Sequence, residues 1–408
     1  MVAVIARDVL LTKQQRWDDS TQLGAERGHT GARALCSQPP ISEPVRSCHR
    51  ATSTSLPQPD VTRLRLGIAA SCPDVPSYVR WAQLAESCGY DLLGYGDSPC
   101  LIPELYVGLT AMAAATQRAL ICPTVTNPLT RHPAVAASAF AALQQLARGR
   151  ARFCLGTGDS AALTIGERPS SVADLAAYAR AFKTLTDGDE ANFGGKTLRL
   201  AWAAPAVPLW VAAEGPRMLA LAGELADGVL VGSGLTEETV RDSLARVARS
   251  AVAAGRRPED VEVWFFAKIF LCDSEEQAWR DLAWTLAASA HHVFRHGAAE
   301  KFVPIDLLDA LQQLQDDYSV AEHDALTRPA ATNAALVNDL GLTEFLGPRF
   351  LLAGPAPRVR ERIEELASWG ATNLFTSAMF GDPFAYTSEV AHQVLAPLTS
   401  GTGIGARR

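Results

Sequence analysis

Between residues 119 and 161 the chain spells out a buried strand, an amphipathic helix and a second buried strand, an order that a parallel βαβ unit satisfies. Residues 119–126 are short and apolar and run into Asn127-Pro128, the pattern of a strand covered on both faces. Pro133 then opens a helix, where its missing N–H costs nothing, and Ala134, Val135, Ala139, Phe140, Leu143 and Leu146 keep one side apolar until Gly149 stops it. Residues 151–155 form the next strand. Its carboxyl end carries Gly156-Thr157-Gly158-Asp159-Ser160, where two glycines let backbone approach a flat ligand without Cβ interference. Parallel strands joined by a helix need such a crossover.

The same alternation extends on both sides. Strands are expected at 64–69, 90–96, 209–213, 229–231, 261–271 and 373–378, and helices at 76–87, 104–115, 172–185, 217–225, 237–254, 357–369 and 384–395. Residues 193–198 read as a hairpin excursion. Residues 275–350 break the pattern with polar-faced helical sequence that includes Leu307, Leu308, Leu311 and Leu314. Eight strand–helix pairs predict an α/β fold of the (β/α)8 TIM barrel type with a helical insertion after strand 7. A doubly wound open sheet is the alternative, but no Gly-x-Gly-x-x-Gly follows the first strand.

Residues 1–60 are polar, hold Pro39, Pro40, Pro44, Pro57 and Pro59, and lack the apolar surface to offset ordering entropy, so a disordered extension is expected there. The barrel is expected over 64–398, with a flexible tail at 399–408. A chain of 408 residues, 48% hydrophobic, can fill a core of that size. The net charge of −7 and a pI near 5.7 argue against nucleic acid or an anionic membrane as partner. The eight cysteines, Cys36, Cys48, Cys72, Cys88, Cys100, Cys122, Cys154 and Cys272, show neither CxxC nor zinc spacing and read as reduced thiols. No apolar run reaches membrane-spanning length and no basic-then-apolar leader opens the chain, so a soluble cytoplasmic protein is expected.

Barrel chemistry sits at the carboxyl ends of strands, which gives a candidate set before any family is considered. It comprises Asp97-Ser98, Thr126-Asn127, Thr157-Gly158-Asp159-Ser160, Glu214-Gly215-Pro216-Arg217, Gly232-Ser233-Gly234 and Ser377. Backbone N–H groups and small hydroxyls suit a phosphate, and a few carboxylates suit proton transfer. His291, His292 and His296 lie in the inserted region, but no HExxH or third ligand accompanies them, so no metal is expected. His132 reads as a residue introducing the helix at Pro133. Periodicity does not decide whether Trp81, Trp202, Trp210 and Phe380 are core or pocket.

Thr-Asn-Pro-Leu-Thr-Arg-His-Pro-Ala-Val (126–135), Gly-Arg-Ala (149–151), Gly-Thr-Gly-Asp-Ser-Ala (156–161), Pro-Leu-Trp-Val-Ala-Ala-Glu-Gly-Pro-Arg-Met-Leu (208–219) and Leu-Ala-Gly-Glu-Leu-Ala-Asp-Gly-Val (221–229) together resemble the luciferase-like flavin-dependent oxidoreductase superfamily over residues 64–398. The Gly-x-Gly-Asp and Thr-Asn-Pro forms are most similar to the branch of methylenetetrahydromethanopterin reductases. That branch uses the deazaflavin coenzyme F420; similar branches use FMN and oxygen. The resemblance implies a non-proline cis peptide at Thr124-Val125 behind the cofactor ring. It also implies Asp97, Asn127, Thr157 and Gly158 along the ring, and Gly215, Arg217 and Met218 at the phosphate with Gly232 and Ser233 beside it. Asp159 and Ser98 stand where the sugar-phosphate dehydrogenases of the superfamily carry a catalytic Glu and His, which argues against a glucose-6-phosphate-type substrate.

Asp159 and Asp97 are the catalytic candidates. Each has a structural rival: Asp159 and Ser160 as helix caps, Asp97 as a strand-end acceptor. For Arg217, at a helix start, the backbone N–H is a better phosphate ligand than the side chain. The expected function is hydride transfer between F420 and a small organic substrate, with the insertion covering the site. An FMN-dependent monooxygenase and a non-catalytic flavin-binding protein are the alternatives. A small-molecule substrate is the expected partner, and a homodimer stays open.

Overall fold

The computed structural model describes residues 63–202, 204–319 and 331–400, all within one unit, Pro59–Arg408. The expected N-terminal extension and residues 401–408 of the expected tail lie outside them. Eight parallel strands form the central sheet: β1 (Arg65–Ala70), β2 (Leu92–Tyr95), β3 (Leu120–Pro123), β4 (Phe153–Leu155), β7 (Leu209–Ala213), β8 (Gly228–Val231), β9 (Glu262–Phe266) and β12 (Asn373–Ala378). Their order is β3-β2-β1-β12-β9-β8-β7-β4, with every pairing parallel. The two ends meet through single bridges, Ile121 to Ala151 and Thr126 to Leu155, which bring the sheet round into a nearly closed barrel. This is the expected (β/α)8 architecture.

Helices α1 (Val75–Ser87), α2 (Leu105–Ala115), α3 (Pro133–Leu146), α5 (Val172–Thr186), α6 (Pro216–Leu225), α7 (Glu237–Ala253), α13 (Ala356–Ser368) and α14 (Pro383–Val390) separate the strands, and a short helix α4 (Ser160–Leu163) follows β4. The apolar stripe of α3 buries Ala136, Ala137, Phe140 and Leu143, and Phe140 meets the Phe153–Phe182 stack edge-on. His132 caps α3, its Nδ1 accepting from Ala134 N at 3.2 Å. The expected hairpin is β5 (Ala191–Phe193) with β6 (Lys196–Leu198). Trp81, Trp210 and Trp264 are fully buried, whereas Trp202 is exposed. Trp210 and Trp264 fill the barrel with Leu92, Cys122, Cys154 and Phe375.

The seventh strand differs from expectation. Residues 261–271 do not run as one strand but break at Ala267 into β9 and β10 (Lys268–Leu271). Ala267 N still donates to Phe375 O at 2.7 Å, but β10 turns away from the barrel to pair with β11 (Leu351–Gly354), a strand the hydrophobic pattern does not single out. Between β10 and β11 lie α8 (Glu275–Asp281), α9 (Ala283–Phe294), α10 (Leu308–Asp317), α11 (Ala331–Asp339) and α12 (Thr343–Phe350). They pack on a core of their own that includes Leu286, Val293, Phe294, Leu311, Leu314 and Leu346. Among the described residues no helix is long and apolar enough to cross a membrane.

Candidate functional site

Around the barrel, β2, β3, β4, β7 and β8 are consecutive once the β3–β4 seam is counted. Their carboxyl ends carry every expected site residue except Ser377, which lies on β12, so the others occupy one arc of the mouth. The opposite arc, β1, β12 and β9, is where the insertion leaves the barrel.

The seam comes first. The Thr124–Val125 peptide is cis, as the resemblance implied. Thr124 turns its hydroxyl towards the barrel interior, where Oγ1 is buried without a hydrogen-bond partner among the described residues. Two glycines make room for this turn. A Cβ on Gly94 would sit 2.7 Å from Thr124 Oγ1, and one on Gly156 would sit 2.7 Å from Val125 Cγ2.

Asp97, at the end of β2, is buried at 5% exposure. Its Oδ2 accepts from Thr126 Oγ1 at 2.7 Å, Arg131 Nη1 at 2.9 Å and Asn127 Nδ2 at 3.5 Å. Arg131 also donates to Glu104 at 2.5 Å and lies 4.4 Å from the Tyr106 ring centroid. Asn127 in turn accepts from Leu129 N and Thr130 N through Oδ1, at 2.9 and 3.0 Å. Asp97 is therefore the centre of a knot that fixes the Thr126–Arg131 loop. Arg131 belongs to this knot with Thr126, although it does not stand among the expected site residues.

Gly158, with φ of +87°, holds a conformation that a Cβ would strain, and Thr157 O accepts from Ser170 N and Oγ at 2.8 and 3.0 Å. The side chain of Asp159 does not cap α4. It reaches across the mouth to α9, with Oδ2 3.3 Å from His292 Nε2 and Oδ1 3.2 Å from Arg295 Nη1. Beside it Ser98 and Ser160 share a hydrogen bond of 2.7 Å. His291 stacks on Tyr318 at 4.1 Å, and His296 is exposed. Among the described residues no three His, Cys, Asp or Glu side chains converge as a metal site would require.

A small hollow, with room of about 20 Å³, opens where the loops after β7 and β8 meet the insertion. Glu214, Gly215, Pro216, Ser233, Arg246, Lys301 and Arg349 are among its lining residues. Helix α6 starts here at Gly215 with no side chain capping it. The Ser233 hydroxyl is buried without a partner among the described residues. Arg246 is balanced by Asp242 at 2.6 Å and Glu300 at 2.9 Å. Lys301 and Arg349 make no ion pair among the described residues. Lys301 donates to Val293 O and Gly297 O at 2.6 and 2.7 Å, and Arg349, 1% exposed, donates to Ser233 O at 3.0 Å. Burial pushes Arg349 down to about 10. The hollow thus combines free N–H groups, an unused hydroxyl and unpaired cations, a donor set that fits an anion. The Arg217 side chain is exposed and outside the hollow, Met218 packs on the core, and Gly232 lies against the Glu214 side chain.

Two titratable groups are strongly shifted, Glu214 from the expected strand ends and Lys268 from outside them. Burial pushes the Glu214 carboxyl up to about 7, against the pull of Arg295, Lys268 and Lys301. Burial pushes Lys268 down to about 7, with Glu214 opposing. Lys268 Nζ donates to Thr285 O at 3.1 Å and to Ser289 Oγ. A lone lysine inside the apolar run Trp-Phe-Phe-Ala-Lys-Ile-Phe-Leu, and an arginine in Pro-Arg-Phe-Leu-Leu, are the sequence signals that mark Lys268 and Arg349.

Residues 54–373 match the luciferase-like monooxygenase family. The chain belongs to the luciferase-like monooxygenase family. Within its reach, this member is 29% identical over 316 residues to a 5,10-methylenetetrahydromethanopterin reductase of Methanolobus tindarius, covering 74% of this chain and 90% of that one. It is 31% identical over 233 residues to an F420-dependent glucose-6-phosphate dehydrogenase of Mycolicibacterium fortuitum, covering 51% and 69%. In fold, this luciferase-like barrel superposes on a coenzyme F420-dependent tetrahydromethanopterin reductase from Methanopyrus kandleri with a TM-score of 0.63 at 21% identity, covering 82% of this chain and 99% of that one.

Proposed function

We propose that this luciferase-like oxidoreductase transfers a hydride between coenzyme F420 and a small organic substrate at the barrel mouth. The observation that carries the reading is the hollow beside Gly215, because it offers an anionic cofactor group a binding site next to the arc of strand ends. The names of the reductase and dehydrogenase relatives favour F420 over FMN. The FMN-dependent monooxygenase remains the second reading, supported by the family's own description.

In this reading Lys301, Ser233 Oγ and the N–H of Arg217 hold the phosphate. Val125, Asn127, Thr157 and Gly158 line the ring, with Gly156 and Gly94 clearing space behind them. When bound, the deazaflavin supplies the hydride acceptor or donor. Asp97 positions the ring-side loop through Thr126, Asn127 and Arg131. Asp159 exchanges the proton that accompanies hydride transfer, and His292 Nε2 at 3.3 Å can relay it. Helix α9 covers this side of the mouth and limits the access of water.

Asp159→Asn tests the assignment. F420 affinity should stay within about twofold of wild type, while turnover falls about 10²- to 10⁴-fold. Normal turnover would remove Asp159 from the chemistry. A binder with no catalytic role would show tight F420 binding without turnover in the wild type as well.

A further inference from the structure

The hollow carries a carboxyl group of its own, and nothing in an anion site explains why it is there. Glu214 ends β7 and lines the hollow together with Gly215, Ser233, Lys301 and Arg349. It is half-buried, and the Gly232 backbone packs against its Cγ so closely that a Cβ there would sit 3.0 Å away. The other two lining carboxylates, Asp242 and Glu300, are both paired with Arg246. Glu214 has no hydrogen bond or ion pair among the described residues, so an ionised Glu214 stands directly in the path of an incoming anion.

We infer that anion binding in this hollow is coupled to protonation of Glu214: the site takes up the cofactor phosphate and a proton together. The proposal rests on the phosphate reading of the hollow. The titratable and charged groups facing Glu214 include Arg295, Asp159 and His296 at the mouth, Lys268 from the seventh strand and Lys301 from the insertion. Three of these are cations and would favour the ionised carboxylate, yet burial outweighs them and leaves Glu214 titrating near neutral pH. A bound phosphate adds a like charge beside it and raises that value further, so phosphate and ionised Glu214 exclude each other while phosphate and the protonated acid are compatible. The neutral acid can then donate a hydrogen bond to a phosphate oxygen.

The test compares F420 with its phosphate-free deazaflavin fragment. Titration of the ring itself is common to both, so the ratio of their dissociation constants isolates the phosphate. In the wild type, the advantage of F420 over the fragment should shrink above pH 7, approaching tenfold per pH unit for one coupled proton. In Glu214→Gln the ratio should be flat from pH 6.5 to 8.5. Lys268→Met provides a second reading. Loss of that cation should move the midpoint of the wild-type pH dependence upward, because Glu214 would hold its proton more tightly. If F420 binds better than the fragment but its pH dependence persists in Glu214→Gln, or the midpoint in Lys268→Met moves down, the coupling is overturned and the phosphate site stands. If F420 and the fragment bind equally at every pH, the hollow does not take the phosphate and both readings fall.

Discussion

Asp159 and Glu214 both stand at the mouth with cations around them, and they differ in what they can do. Asp159 is held by His292 and Arg295 of the insertion, so its replacement tests both chemistry and closure. If Asp159 only ties α9 to the barrel, Asp159→Asn should lower the melting temperature and leave turnover near normal. Glu214 makes a prediction about stability alone. Its carboxyl is raised from an ordinary 4.5 to about 7, so the folded protein keeps a proton there that the unfolded chain has already lost. Stability should fall as pH rises from about 4.5 to 7 and stay low above. Glu214→Gln removes this penalty. Its melting temperature should match wild type near pH 4.5 and exceed it at pH 8 by an amount worth roughly 1–3 kcal/mol. Lys268 acts in the other window: pushed down to about 7, its cost is fully present below that pH and is relieved between 7 and 10.5. A Glu214→Gln variant no more stable than wild type at pH 8 would show that the carboxyl is not held neutral.

At the scale of elements, the β7–α6 junction gives the cleanest separation of fold from function. A Cβ added at Gly215 meets only Lys301 Cε, at 3.9 Å, and the backbone φ of −157° suits any residue. Gly215→Val should therefore fold with an unchanged melting temperature. Its side chain projects into the hollow and should weaken F420 at least tenfold while sparing the phosphate-free fragment. Equal loss for both ligands would point to a displaced ring instead. The strand ends were legible because Gly, Pro, Asp and Asn punctuate apolar runs, and Asn127, Gly158 and Gly215 stand out on that ground. The split of the seventh strand was not. Residues 261–271 are apolar apart from Glu262 and Lys268, and only the pairing of Lys268–Leu271 with Leu351–Gly354, some 80 residues away, diverts the second half. Arg349 and Lys301 reach the hollow through the same long-range packing, so spacing alone could not join them to Ser233.

Over the whole molecule, the sheet order brings scattered motifs to one arc of the barrel mouth. Asp97, Asn127, Asp159, Gly215 and Ser233 span 137 positions of sequence, yet their strands are neighbours around the seam. Alternation of buried strands and amphipathic helices was enough to read the barrel. It could not show that Asp159 would meet α9, because that contact depends on how the insertion folds back over the mouth. The ties between insertion and barrel include Asp159 to Arg295 and Arg246 to Glu300. Arg295→Met should loosen the first, seen as faster amide exchange in α9 with little change in the barrel strands.

The central claim is that the mouth binds a phosphate-bearing deazaflavin, and the melting temperature measured with saturating F420 and with saturating FMN tests it most directly. Ligand at a hundred times its dissociation constant adds about 2.7 kcal/mol, a shift of several degrees. F420 should give that shift in the wild type and a much smaller one in Gly215→Val. A shift with FMN and none with F420 would contradict the claim.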